Sequence, residues 1–223
     1  MRPLALLLTL FIAPSFPATS PRTIHHVAEL LDLDDEAADG GVPCDITATV
    51  TLYNPTLFQV FVQEGDYGAW VNNTSASPWQ LKPGDGVRIA GKSGRGAYAP
   101  VILPERIMQV GFAGLPAPVT PPSWSAARNT DRFDNRFAEV RGRVLNIQPL
   151  YQDGGEEQYG AHRLELSSNG ETIVAMLDVR RGRDLSWLIQ SEVVARGVIT
   201  PYRMVHKQRH DAWLVIGSLA VVY

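Results

Sequence analysis

Two histidines stand four residues apart in Tyr202-Arg203-Met204-Val205-His206-Lys207-Gln208-Arg209-His210. That spacing serves a metal ion when a helix brings both rings to one face and a third ligand stands nearby. Here the flanking residues read as strands, the segment as the loop between them, and the sequence offers no third ligand. The plainer reading is a solvated basic loop. Tyr202, Arg203, His206, Lys207, Arg209 and His210 then present rings and cations to an acidic partner, a phosphate-rich ligand or polyanionic surface material. A second cationic segment, Lys92-Ser93-Gly94-Arg95-Gly96-Ala97-Tyr98, offers glycine amides beside Lys92 and Arg95, with Tyr98 closing it. Such amides can cradle an anion. The segment lacks the spacing of a phosphate-binding loop and precedes no helix, so a simple tight turn competes with that reading. Tyr53, Phe61 and Trp70 form a third set, one on each of three successive strands. Rings on the outward face of a small barrel stack on bases or sugars, worth about 1–3 kcal/mol per base. The competing role is packing against a leading helix or a neighbouring barrel.

Catalytic groupings are absent from the pattern. Serines, histidines and aspartates occur, but none sits in a nucleophile elbow or a related frame. Cys44 is the single cysteine. It excludes an intramolecular disulfide and a cysteine metal cluster, and its place at the start of an apolar strand predicts a buried, inert thiol. The expectation is a protein that is not an enzyme and carries no cofactor or metal. Net charge is −3, which argues against nucleic acid as a partner.

The elements that position these residues are short. Glycine (19) and proline (16) are plentiful while 45% of residues are apolar, a balance that favours many strands joined by turns. Ile24, Val27, Leu30 and Leu31 predict one helix over Thr23 to Asp39, capped by Ser20 or Thr23 and stopped at Gly40-Gly41. Pro43 then starts an extended segment. Ile46, Ala48, Val50 and Leu52 alternate with Thr47, Thr49, Thr51 and Tyr53, predicting a strand with one apolar face. Further strands are expected at Leu57–Gln63, Ala69–Asn72 and Val87–Gly91, with closing strands at Ile102 and Ile107–Val110. Pro116, Pro118, Pro121 and Pro122 mark a stiff linker. Ser123 caps a brief helix. A second set follows at Ala138–Ile147, His162–Ser167, Thr172–Asp178, Val193–Val198 and Trp213–Val222. Arg183 to Ile189 suggests a helical turn before its fourth strand.

Five strands with glycine at the bends, twice over, describe an all-β chain of two tandem OB-fold-like barrels, each preceded by a short helix. The expected division is a signal peptide over 1–20, a leading helix and first barrel over 21–113, a linker over 114–122 and a second barrel over 123–223. Arg2 and the run Leu4 to Ala13 read as an export signal, too short for a stable membrane anchor. No later segment reads as a span. The expected location is periplasmic or secreted.

The segments Asn54-Pro55, Phe61-Val62-Gln63, Gln80-Leu81-Lys82-Pro83-Gly84-Asp85-Gly86-Val87-Arg88-Ile89-Ala90-Gly91, Gly94 to Ile102 and Leu115-Pro116-Ala117-Pro118 carry a resemblance. Together they are similar to the tandem OB-like extracytoplasmic regions found ahead of bacterial sensor histidine kinases and diguanylate cyclases. The resemblance covers roughly residues 24 to 223 and implies a sensory input or ligand-binding role. It brings no catalytic residues, and this chain has no kinase or cyclase motif. The implied partner is an unknown small ligand or envelope protein, with a membrane signalling protein receiving the output. The alternative is an extracytoplasmic OB-fold protein that binds nucleic acid or another polyanion.

Overall fold

The computed structural model describes residues 22–55, 59–72, 79–151, 157–179, 183–205 and 208–222; within strands, the side chains of 151, 157–160 and 202–210 are left out of the description. The expected signal peptide therefore lies outside the described residues, as do Leu57, His206 and Lys207.

The chain opens with two short helices, α1 (Val27–Leu31) and α2 (Asp35–Asp39). One continuous helix was expected. Asp34 breaks it, because its carboxylate accepts the Ala37 amide at 2.8 Å and starts a new helix. Ile24 lies in neither helix but bridges Cys44 in parallel. Ile24, Val27 and Leu30 are nonetheless buried in one core, so the apolar stripe was read correctly and its periodicity was not.

Strands β1 (Pro43–Asn54), β2 (Gln59–Glu64), β3 (Tyr67–Asn72), β4 (Asp85–Gly94) and β5 (Val101–Phe112) close a barrel in the order β1-β2-β3-β5-β4. Helix α3 (Trp124–Asn129) leads the second set. It comprises β6 (Phe137–Tyr151), β7 (Glu157–Ser168), β8 (Glu171–Asp178), β9 (Glu192–Val205) and β10 (Gln208–Val221). These close a second barrel in the same order. Neighbours are antiparallel except β3–β5 and β8–β10, which are parallel. That Greek-key order is the one expected of an OB-type barrel.

The repetition reaches single residues. Each first strand carries a bulge, between Val50 and Leu52 in β1 and between Val144 and Asn146 in β6. A residue with positive φ, Gly84 or Gln190, donates its amide to the carbonyl of Val50 or Val144 at 2.8 Å. Each fourth strand bends at a glycine pressed on the last strand. A Cβ on Gly91 would lie 2.2 Å from the Leu103 carbonyl oxygen, and one on Gly197 would lie 2.0 Å from that of Val215. The linker is also tied down, since Val119 bridges Ala138 in parallel just as Ile24 bridges Cys44.

Two expected loops are strands. Lys92 to Gly94 belong to β4, where Lys92 pairs with Pro43 and Leu103. Tyr202 to Val205 and Gln208 to His210 extend β9 and β10 into a ribbon, with Arg209 opposite Met204. In both cases the backbone groups find ladder partners beyond the apolar run that marked the strand. Ser186–Leu188 form the expected turn before the fourth strand as a 3₁₀ helix. Cys44 is buried, and burial pushes its thiol up to about 11.

Helix α1 docks through charge. Glu64, at the end of β2, accepts the Val27 amide at 2.7 Å and meets Nδ1 of His26 at 2.8 Å. Glu29 accepts the His25 amide at 2.9 Å and Arg22 at 2.8 Å, contacts that hold its carboxyl down to about 2. The Glu64 hydrogen bond raises His26 above the ordinary histidine value of 6.5. A raised folded value means that this contribution to stability is fully present below about 6.5 and is lost as pH rises through the folded value. Two results are expected. The His26 ring resonances titrate above those of a free histidine, and Glu64→Gln returns them toward it and flattens the fall in melting temperature between pH 6 and 8. Gly197→Ala lowers stability by about 1–3 kcal/mol in chemical denaturation because the strand must move, whereas Gly217→Ala stays within about 0.5 kcal/mol, its new Cβ having no neighbour nearer than 3.8 Å.

Candidate functional site

In OB-type barrels ligands lie across the outer face of the second and third strands, between the loops after strands one and four. The β1 bulge decides which residues reach that face here. Before it, Ile46, Ala48 and Val50 point into the core; after it the parity changes, so Leu52 turns outward and Tyr53 turns inward. Leu52 pairs with Phe61 and Phe61 with Trp70, which makes one apolar row across β1, β2 and β3. The expected aromatic face therefore holds Phe61 and Trp70, with Leu52 in place of Tyr53. Tyr53 packs against the first core, and its hydroxyl donates to the Trp79 carbonyl.

That row is covered. Leu52 is 3% exposed and Phe61 4%, because both join a cluster with Ala161, Val174, Met176, Val198, Trp213 and Val215 of the second barrel. Ala161 comes from β7 and the others from facing rows of β8, β10 and β9, where Val174 pairs with Trp213 and Met176 with Val215, which pairs with Val198. Burying one large apolar side chain stabilises by about 1.5–3 kcal/mol, so the row alone makes this a firm seam.

Polar contacts fix its register. Phe137 donates its amide to Oε1 of Gln63 at 2.8 Å, and the Gln63 amide nitrogen donates to the Gly65 carbonyl at 2.7 Å, so the buried glutamine is satisfied at both ends. Arg136 pairs with Asp66 at 2.5 Å. Asn54 Nδ2 donates to Asp178 at 2.8 Å beside the turn after β1. At the other end, Tyr98 to Val101 enclose a cavity of ≈ 120 Å³ with Trp70, Asn135, Thr200 and Pro201. Gly68 permits the closest approach: a Cβ there would stand 2.1 Å from the Asn135 carbonyl oxygen. Both edges of the first barrel's cleft thus touch the second barrel, which fills the cleft as a ligand would.

The equivalent positions of the second barrel differ in chemistry. By register, Leu52-Phe61-Trp70 corresponds to Asn146-Glu165-Val174, and Asn54-Gln59-Asn72 to Gln148-Arg163-Met176. Val174 and Met176 are taken up in the seam. The β6–β7 half remains polar, with Asn146 and Gln148 exposed and Arg163 paired with Glu165 at 2.5 Å. The β6–β7 ribbon lies beyond the C-terminal end of β8 and the β9–β10 ribbon beyond its N-terminal end.

The other sequence candidates are dispersed. Lys92 and Arg95 are exposed beside an open cleft of ≈ 440 Å³ next to Gly40 and Gly41. Arg95 faces Asp35 at 3.4 Å. Ser93 between them is committed, donating to the Ala38 carbonyl at 2.9 Å and accepting the Val42 amide at 2.8 Å. The Ser93 amide is also committed, donating to the Val42 carbonyl at 2.8 Å. Tyr202, Arg203, Arg209 and His210 lie along the β9–β10 ribbon, while His206 and Lys207 fall outside the described residues. Among the described residues no helix is long and apolar enough to cross a membrane.

Sequence reasoning missed the seam residues Leu52, Gln63, Val174, Met176 and Trp213. A signal existed: Val60-Phe61-Val62, Ile173 to Leu177 and Trp213 to Ile216 are unbroken apolar runs. Such runs mark strands buried on both faces.

No family model and no curated protein matches the chain. Solved structures similar to it include the p204 HINb domain, at 12% identity and a TM-score of 0.35, covering 82% of this chain and 97% of that one. The single-stranded DNA binding protein from Thermus aquaticus is similar at 10% identity and a TM-score of 0.29, covering 79% and 90%. The aspartyl tRNA synthetase from Entamoeba histolytica matches at 12% identity and a TM-score of 0.33 over 46% of this chain, which spans 21% of that protein. Likenesses this distant carry no argument, and the fold rests on the strand order itself.

If the seam is as firm as its contacts imply, the chain melts in one cooperative transition. Phe61→Ala is expected to cost about 3–5 kcal/mol and to split calorimetric unfolding into two transitions, one per barrel.

Proposed function

We propose that this chain is a non-catalytic binding module that acts outside the cytoplasm, and that its second barrel captures an anionic partner. The observation that carries the reading is the filled cleft of the first barrel: Leu52, Phe61 and Trp70 are spent on the second barrel. Capture then falls to the polar half-cleft of the second barrel and to the β9–β10 ribbon at one end of it. The β9–β10 ribbon is where the sequence concentrates cations, with Arg203, Lys207 and Arg209 in an otherwise acidic chain. A cationic ribbon beside an OB-type cleft suits a polyanion, whose binding is governed by counterion release. The export-signal pattern of residues 1–20 and the resemblance to sensor regions support action outside the cytoplasm. In this reading any signalling output comes from a partner or from further domains.

The test is binding of a fluorescein-labelled fifteen-residue oligothymidylate, used as a generic polyanion, followed by anisotropy. Three ribbon cations on a single strand imply a salt slope near −2, so affinity is expected to fall about 20-fold between 50 and 200 mM salt. The double variant Arg203→Glu, Arg209→Glu is expected to weaken binding at least tenfold. No binding at 50 mM salt, or binding indifferent to both salt and the variant, contradicts the reading.

A further inference from the structure

A cleft of ≈ 220 Å³ opens where the turn after β1 meets the second barrel. Its chemistry is the reverse of that of the β9–β10 segment, which carries Arg203, Lys207 and Arg209. Leu52, Met176, Val215 and Ile216 give it apolar walls, and Asn54, Gln59 and Asp178 are its polar lining. None of the residues lining it is cationic. The Gln59 Oε1 atom is shielded from solvent and has no hydrogen-bond partner. A buried acceptor without a donor is costly. Asp178 receives the Asn54 amide at 2.8 Å from across the seam, which holds the carboxylate at the cleft and leaves its second oxygen to accept.

We propose that this cleft binds a small organic cation, a primary ammonium carried on a short apolar chain. The ammonium supplies three donors. Asp178 accepts one in a charge-assisted bond, Gln59 Oε1 accepts another once its side chain turns toward the cleft, and the alkyl chain lies along Leu52 and Met176. The cleft admits only a small ligand, since its volume is below the range of about 300–1,000 Å³ usual for drug-sized molecules. Such a ligand touches both barrels and so bears directly on their docking.

The experiment is a titration of the full chain, labelled with ¹³C at the methionine methyl groups, with n-butylammonium chloride; n-butanol serves as the neutral isostere. Met176 lines the cleft and Met108, on β5 of the first barrel, does not. A saturable shift of the Met176 methyl alone is expected with the amine and not with the alcohol. Asp178→Asn keeps an acceptor for Asn54 and removes the charge, and is expected to raise the dissociation constant at least tenfold. Gln59→Leu removes the orphaned acceptor and is expected to raise it severalfold. No saturable shift at tens of millimolar amine, an equal response to butanol, or unchanged affinity in a folded Asp178→Asn protein overturns the proposal. Each outcome is independent of whether the β9–β10 ribbon binds an anion.

Discussion

Everything in this molecule depends on one buried contact, the apolar row Leu52-Phe61-Trp70 lying against β8, β9 and β10. An exposed row of this kind would be an adhesive patch on the first barrel. The second barrel removes it from water, and the Gln63, Asp66 and Asn54 contacts choose one register among the many that apolar contact alone permits. A stiff joint follows. The proline segment, which reads in the sequence as a stiff linker, joins two bodies that already touch, and Val119 is itself hydrogen-bonded onto β6. A role that required the barrels to swing freely about the linker would have to break this seam first.

One strand order, used twice, supplies both receptor and occupant. Bulge, positive-φ donor and pinched glycine recur in each barrel because they shape the coiled first strand and close the last. The face outside that frame differs between the barrels. In the first it is apolar; in the second, Asn146, Gln148, Arg163 and Glu165 make its β6–β7 half polar. The same frame therefore yields one surface suited to permanent docking and one suited to reversible capture.

Much of this was legible in the residues. Alternation and turn residues located a part of every strand, although β5 was read as two pieces and β7, β9 and β10 run well past their expected ends; the buried thiol of Cys44 followed from its neighbours. What was not legible has a physical cause in each case. The helix over Thr23 to Asp39 was split because Asp34 is a better cap than helix-interior residue. Tyr53 and Leu52 exchanged sides because a bulge changes parity without altering composition. Lys92 and the segment Tyr202 to His210 read as loops because polarity was taken for irregularity, although long ribbons in water carry polar side chains. Phe61 and Trp70 were placed on the right face. The packing alternative for them, weighed against stacking on a ligand, is the one the structure shows.

The central claim is that the second barrel fills the cleft of the first, and nuclear Overhauser contacts of the Phe61 ring test it most directly. The account predicts cross-peaks from that ring to methyl groups of Val174, Met176 and Val215 in the full chain in solution. A Phe61 ring with contacts only inside its own barrel, and with the mobility of a solvated side chain, would contradict it.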